Sequence, residues 1–202
     1  MEPAVPFVGL TGGMGAGKST ALAAFERLGA AVLSTDAVVH ELYGEEGLRE
    51  AVVGRWGPEV APGGVVDRSA VAARAFAREE DRAWLEGLLW PLVGKRVLAW
   101  LGEARAGRLT DLPRPRAAVV EVPLLFEAGM EKLYDATIAV ISGEGTRRER
   151  AAARGHALAD ERAARQLSQE EKARRATFVV HNDGTEEDLE RELSAILDKL
   201  GR

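Results

Sequence analysis

Val8-Gly9-Leu10-Thr11-Gly12-Gly13-Met14-Gly15-Ala16-Gly17-Lys18-Ser19-Thr20 is the stretch from which the rest of the chain is read. It contains G-x-x-x-x-G-K-[ST], running from Gly12 through Gly17 and Lys18 to Ser19. The apolar run Phe7 to Leu10 precedes it, and Leu22, Phe25 and Leu28 follow at helical spacing. Strand, glycine loop and helix in that order form the context that a phosphate-binding loop requires. With few side chains in the way, successive backbone N–H groups of Gly12, Gly13, Gly15, Ala16 and Gly17 point inward at a polyphosphate. The positive end of the following helix, at Lys18, Ser19 and Thr20, adds to the attraction. In this reading Lys18 reaches the β- and γ-phosphates of a bound nucleotide, and the Ser19 hydroxyl holds a bridging Mg2+ ion. The competing reading is a glycine-rich strand-to-helix turn without a ligand, and the flanking pattern favours the cradle.

A chain of 202 residues, 46% of them hydrophobic, can bury a full core, and one α/β domain with insertions is the natural expectation. The net charge of -5 argues against a general polyanion-binding surface, so nucleic acid is not an expected partner and any basic site must be local. Without cysteine there is no disulfide, thiolate zinc site or cysteine nucleophile. The opening Met1-Glu2-Pro3-Ala4-Val5-Pro6 has no basic region followed by an apolar stretch, and no apolar run reaches membrane-helix length. These features lead us to expect a soluble, cytoplasmic chain with no membrane association and no obligate protein partner.

After the loop helix, Ala30 to Thr35 is a short apolar run that completes a strand-helix-strand unit. Its crossover should be right-handed and its strands parallel. That geometry puts the carboxyl ends of both strands on one edge, where open α/β sheets bind ligands, and so sets Asp36 beside the phosphate loop. Asp36 has two readings that do not exclude each other. It could cap the helix that Ala37 to Leu42 begins, or it could face the γ-phosphate and accept a proton from an attacking hydroxyl. From Glu46 to Gly107 helices are expected at Leu48 to Trp56, Arg68 to Ala77 and Asp81 to Leu101. All four tryptophans fall in this region, either as packing for a helical insertion or as walls of an acceptor pocket. Ala117 to Val122, Ala136 to Ile141 and Thr177 to Val180 are the remaining strands, and Thr185 is the cap of a C-terminal helix with acids in its first turn.

Eight arginines (147, 148, 150, 154, 162, 165, 174 and 175) fall between positions 146 and 175, interleaved with acids. Such a segment is either a solvated charged face or a lid that brings cations over a γ-phosphate, and we read some of these residues each way.

Taken together, the motifs resemble those of bacterial dephospho-CoA kinase, a P-loop kinase family. The resemblance rests on Gly9 to Thr20, Asp36, Asp67-Arg68, Val122-Pro123-Leu124-Leu125-Phe126-Glu127, Arg150, Arg154, Arg162 and Gln166, and Asn182-Asp183-Gly184. It implies a three-layer α/β P-loop fold with a five-stranded parallel sheet. The core would span about 4–45, 108–144 and 176–202, the helical acceptor-binding insertion about 46–107, and the helical lid about 145–175. It further implies that ATP is the donor and the ribose 3'-hydroxyl of dephospho-CoA the acceptor, with Asp36 as catalytic base. Lys18 and Arg150 would steady the transferring group, helped by Arg154 or Arg162, and Asn182 and Gly184 would lie near the adenine. Asp67, Arg68, Leu125, Glu127, Arg162 and Gln166 would serve the acceptor. The chain departs from the family pattern at Ser34-Thr35-Asp36, where a D-x-D is common, and at Trp90, Glu121 and Thr177, which replace a histidine and two aspartates. Within enzymes the alternative is another small-molecule kinase, such as a nucleoside monophosphate kinase. A nucleotide-dependent switch is disfavoured by the absence of N-K-x-D.

Overall fold

A computed structural model describes residues 4–109, 114–145 and 166–201. Strand β1 (Phe7–Gly12) is buried at every position, as a strand covered on both faces must be. It is joined by β2 (Ala31–Ser34), β3 (Ala118–Glu121), β4 (Ala136–Ile141) and β5 (Phe178–His181). The helices are α1 (Lys18–Arg27), α2 (Thr35–Leu42), α3 (Glu46–Trp56), α4 (Arg68–Ala77), α5 (Glu79–Arg105), α6 (Gln169–Arg175) and α7 (Glu186–Leu200). The strands lie in the order β2-β3-β1-β4-β5, every neighbouring pair parallel. The five-stranded parallel sheet expected from the sequence is therefore present. The segment 146–165, which holds most of the expected lid, lies outside the described residues.

The chain divides into two compact units, Met1–Ser34 with Trp100–Arg202, and Thr35–Ala99. The first contains the whole sheet. Alternation along the strands sends Val8, Leu10, Val119, Ile138, Val140 and Val180 to one face, against Phe25 of α1 and Leu189, Leu193, Ile196 and Leu197 of α7. The four α7 residues recur at the spacing of one helical stripe, and Thr185 and Asp188 close that helix's first turn with a reciprocal capping box. On the opposite face Gly9 has no side chain, and Leu125 and Tyr134 occupy the space: a Cβ there would stand 2.5 Å from Leu125 Cδ1. Leu125 is fully buried as a result. Helix α6 packs against β4 and β1. At the amino ends of β4 and β5, Thr137 and Thr177 exchange reciprocal bonds, each hydroxyl accepting the other's backbone N–H at 3.1 Å. The Thr177 departure thus sits at the edge opposite the phosphate loop.

The second unit is helical and runs from the residue after β2 to a boundary inside α5. Asp67 caps α4, its Oδ1 accepting from Ser69 N at 2.8 Å and Ala70 N at 3.2 Å. Arg55 of α3 donates to Asp81 Oδ1 of α5 through Nε at 3.0 Å and a terminal nitrogen at 2.8 Å. Those bonds hold the Asp81 carboxyl below its usual range, against the opposing effect of its partial burial. Trp56 and Trp84 meet edge to face with centroids 5.1 Å apart, and the Arg55 guanidinium stands over Trp84. Those two tryptophans pack against each other, whereas Trp90 is 49% exposed.

Two glycines give opposite expectations for stability. A Cβ on Gly12 would lie 2.4 Å from the Val140 carbonyl oxygen, a backbone atom fixed in the sheet, whereas one on Gly54 in α3 would meet nothing within 4 Å. Gly12→Ala should therefore destabilise the nucleotide-free protein by roughly 1–3 kcal/mol through overpacking. Gly54→Ala should stabilise it by up to about 1 kcal/mol through helix propensity. Urea unfolding followed by far-UV circular dichroism checks both signs.

Candidate active site

The register lines up the strand ends that could carry chemistry. Ser34 pairs with Glu121 and Glu121 with Leu10, while Gly12 pairs with Val140 and Ile141 with His181. The order of connection reverses at β1, from which the chain runs outward to β2 on one side and later to β4 on the other. In an open parallel sheet that reversal leaves a crevice at the carboxyl edge. The glycine loop rises from β1 into this position.

Two loop residues require glycine by conformation: Gly15 has φ 73° and Gly17 has φ 90° with ψ 30°, both in the left-handed region. Gly17 is also the N-cap of α1 and brings no side chain to cap it. The first intrahelical bond is Ala21 N to Gly17 O at 2.9 Å, so the Ser19 and Thr20 amides precede the helical ladder as donors for an anion. Lys18 Nζ donates to Gly13 O at 3.2 Å across the mouth of the loop. Ser19 is exposed at the same helix end. Among the described residues no three His, Cys, Asp or Glu side chains form a metal cage. The donor set still fits Mg2+, which keeps waters and takes one or two protein oxygens together with substrate phosphates.

Asn182 is nearly buried, and its Nδ2 donates to Ala16 O at 2.9 Å. This bond ties the end of β5 to the loop across 166 residues of sequence. Its neighbour Asp183 accepts Gly143 N at 2.7 Å, and Gly184 leaves room for the Asp188 carboxylate of the α7 capping box. Asn182 and Gly184, expected near the adenine from the resemblance, thus have parts in building the loop and its surroundings.

The segment after β3 converges on the same unit. Thr11 Oγ1 donates to Pro123 O at 3.2 Å, and Lys172 Nζ of α6 donates to that carbonyl at 2.8 Å. Lys172 Nζ also stands 3.0 Å from Glu127 Oε1, which accepts Leu167 N at 2.8 Å. Gln166, partly exposed, is the residue before that amide. Lys172 carried no expectation from sequence, because a lysine among the charges of 146–175 reads as solvated. The available signal was its place on one side of a short helix with Gln169, which bonds the Ser142 backbone, and Arg175, which pairs with Glu131.

In the second unit Asp36 lies inside the first turn of α2, which begins at Thr35. It is therefore not the cap, and that reading is corrected: the helix starts two residues earlier, at Thr35 rather than Ala37. The carboxylate is exposed and complements the positive helix end. Arg68, first residue of α4, donates to His40 Nδ1 of α2 at 2.5 Å. Arg150, Arg154 and Arg162 lie outside the described residues. No described helix is long and apolar enough to cross a membrane.

Comparison with known proteins agrees with this geometry. The family model described as dephospho-CoA kinase matches residues 6–188. The dephospho-CoA kinase of Synechococcus sp. (strain CC9902) is 36% identical over 196 residues, covering 94% of both chains. That of Deinococcus radiodurans is 39% identical over 202 residues, covering 96% of this chain and 91% of the relative. The crystal structure of TT1252 from Thermus thermophilus superposes with a TM-score of 0.78 at 34% identity, over 98% of each chain. A phosphate loop at the centre of a parallel sheet and a sequence match over nearly the full length have one common source: this chain belongs to the dephospho-CoA kinase family.

Proposed function

We propose that this chain transfers the γ-phosphoryl group of ATP to the ribose 3'-hydroxyl of dephospho-CoA, giving coenzyme A and ADP, in the cytoplasm. The observation that carries the reading is the glycine loop at the sheet's switch point in a chain that belongs to the family. The reaction demands little covalent help from protein, only alignment of the hydroxyl with the γ-phosphorus and neutralisation of the charge spread over its oxygens.

The loop amides and those opening α1 bind the phosphates. Lys18, whose ammonium rests on the neutral Gly13 carbonyl, exchanges it for a phosphate oxygen, a stronger charge-assisted partner. Ser19 holds Mg2+, which when bound neutralises charge between the β- and γ-phosphates. Ser34 has no carboxylate where the family pattern often has one, so Ser19 would be the side chain that holds the ion. Asp36, two residues beyond the end of β2, orients the acceptor hydroxyl and takes its proton. Arg150, with Arg154 or Arg162, meets the developing charge. Asp67, Arg68, Glu127 and Gln166 serve the acceptor, with Asp67 and Arg68 placed at the start of α4. Leu125, being buried, contributes through the backbone it fixes.

Two measurements test these assignments. In a coupled assay of ADP release with dephospho-CoA, AMP, uridine and shikimate offered in parallel, dephospho-CoA should exceed each of the others in kcat/KM by about 100-fold or more, as expected for a pocket that pairs its polar groups with one acceptor. A nucleoside monophosphate kinase would instead turn over AMP or uridine-type acceptors best. Asp36→Asn should lower kcat by roughly 10²–10⁴ while leaving ATP affinity, followed by titration with a fluorescent analogue, within about threefold of the parent. Near-parental turnover in that variant would remove Asp36 from the role of base.

A further inference from the structure

Lys172 has no exposed surface, and among the described residues its ammonium meets only Pro123 O at 2.8 Å and Glu127 Oε1 at 3.0 Å. Burial pushes its pKa down, and the Glu127 carboxylate pulls it back up. A buried ion pair gives little net stability over apolar side chains of the same volume, so apolar residues in place of both Lys172 and Glu127 would hold α6 in place as well. The charge therefore calls for an explanation other than packing.

Glu127 supplies one. Its Oε1 is occupied twice, by Lys172 Nζ and by Leu167 N at 2.8 Å. Its Oε2 is buried and has no hydrogen-bond partner among the described residues. A carboxylate oxygen withheld from water without a donor is costly, and each one in a native structure calls for an explanation, a catalytic or binding role among them. The same Lys172 shares the Pro123 carbonyl with Thr11, the residue before Gly12 of the phosphate loop. One ammonium thus fixes both the carboxylate and its position relative to the loop.

We propose that Lys172 is a positioning residue for the transfer reaction: it holds the Glu127 carboxylate in one rotamer so that Oε2 receives a hydrogen bond from a hydroxyl or amine N–H of the acceptor. The inference rests on dephospho-CoA being the acceptor. It assigns Lys172 a function in acceptor affinity without contact to the acceptor.

Steady-state kinetics and thermal melts of Lys172→Met, Glu127→Gln and the double variant test it. Each single variant should raise KM for dephospho-CoA roughly ten- to a hundredfold, the weight of one lost charge-assisted bond. KM for ATP should stay within about twofold in both, since Thr11 still donates to Pro123 O and the loop amides keep their support. Lys172→Met leaves a buried carboxylate uncompensated and should melt well below the parent. The double variant removes that charge, and its Tm should recover while its KM for dephospho-CoA stays raised, no worse than the weaker single variant. If the pair were only structural, recovery of Tm would bring acceptor KM back with it, and that outcome overturns the proposal. Should Lys172→Met not fold, Glu127→Gln decides alone, because its amide oxygen still accepts from Lys172: a folded variant with parental acceptor KM overturns the proposal equally. Absence of dephospho-CoA turnover by the parent would sink the acceptor assignment and this inference with it, whereas parental turnover with unaffected variants sinks the inference only.

Discussion

The backbone of Gly12 passes so near the Val140 carbonyl that a single methyl group would collide with it at 2.4 Å. This contact sets where the phosphate loop begins. β1 can lie between β3 and β4 with every residue buried only if its last position has no side chain, and the loop then leaves the sheet at its centre. The motif's first glycine thus serves sheet packing, while Gly15 and Gly17, with positive φ, serve the turn. A motif usually described by its ligand is here divided between two physical demands, and the sheet imposes one before any ligand arrives.

The loop is supported from outside by side chains remote in sequence. Asn182 reaches Ala16 from the end of β5, and Thr11 and Lys172 meet on Pro123. These bonds join β1, β3, β5 and α6 at the one edge where their carboxyl ends gather. Preorganised donors are effective in catalysis because they need no reorganisation when charge develops. The loop's amides can be held in that state only if the carbonyls behind them are satisfied, and Ala16 and Pro123 are.

The sequence made legible what depends on local pattern. The five strands and the caps of α1 and α7 follow from apolar runs, glycines and a Thr-x-x-Asp spacing, and the structure moves their bounds by a residue or two. Asp67 was visible as part of a motif, but its capping of α4 was not drawn from it, although Asp before Arg68-Ser69-Ala70 is a helix start signal. Of the two readings of Asp36, the cap fails because Thr35 already takes helical conformation. Lys172 and the bond from Asn182 to Ala16 could not be read at all. Their partners lie 49 and 166 positions away, and no periodicity connects residues that meet only when parallel strands are assembled.

Charge is arranged in the same uneven way. The chain is acidic overall, and most described ion pairs are exposed arginine–glutamate contacts, such as Arg27 with Glu190 and Arg108 with Glu103. Pairs of that kind contribute ~0–1 kcal/mol each and serve solubility more than stability. Two lysines near the phosphate loop are instead set on backbone carbonyls: Lys18 on Gly13 and Lys172 on Pro123. Where the chain has to orient a wide, exposed surface it uses arginine, whose charge does not respond to burial. Lysine is a compact ammonium that a single carbonyl can direct, as Pro123 O directs Lys172. An ammonium in the interior is stable only when another charge completes it, as Glu127 does for Lys172 within the protein.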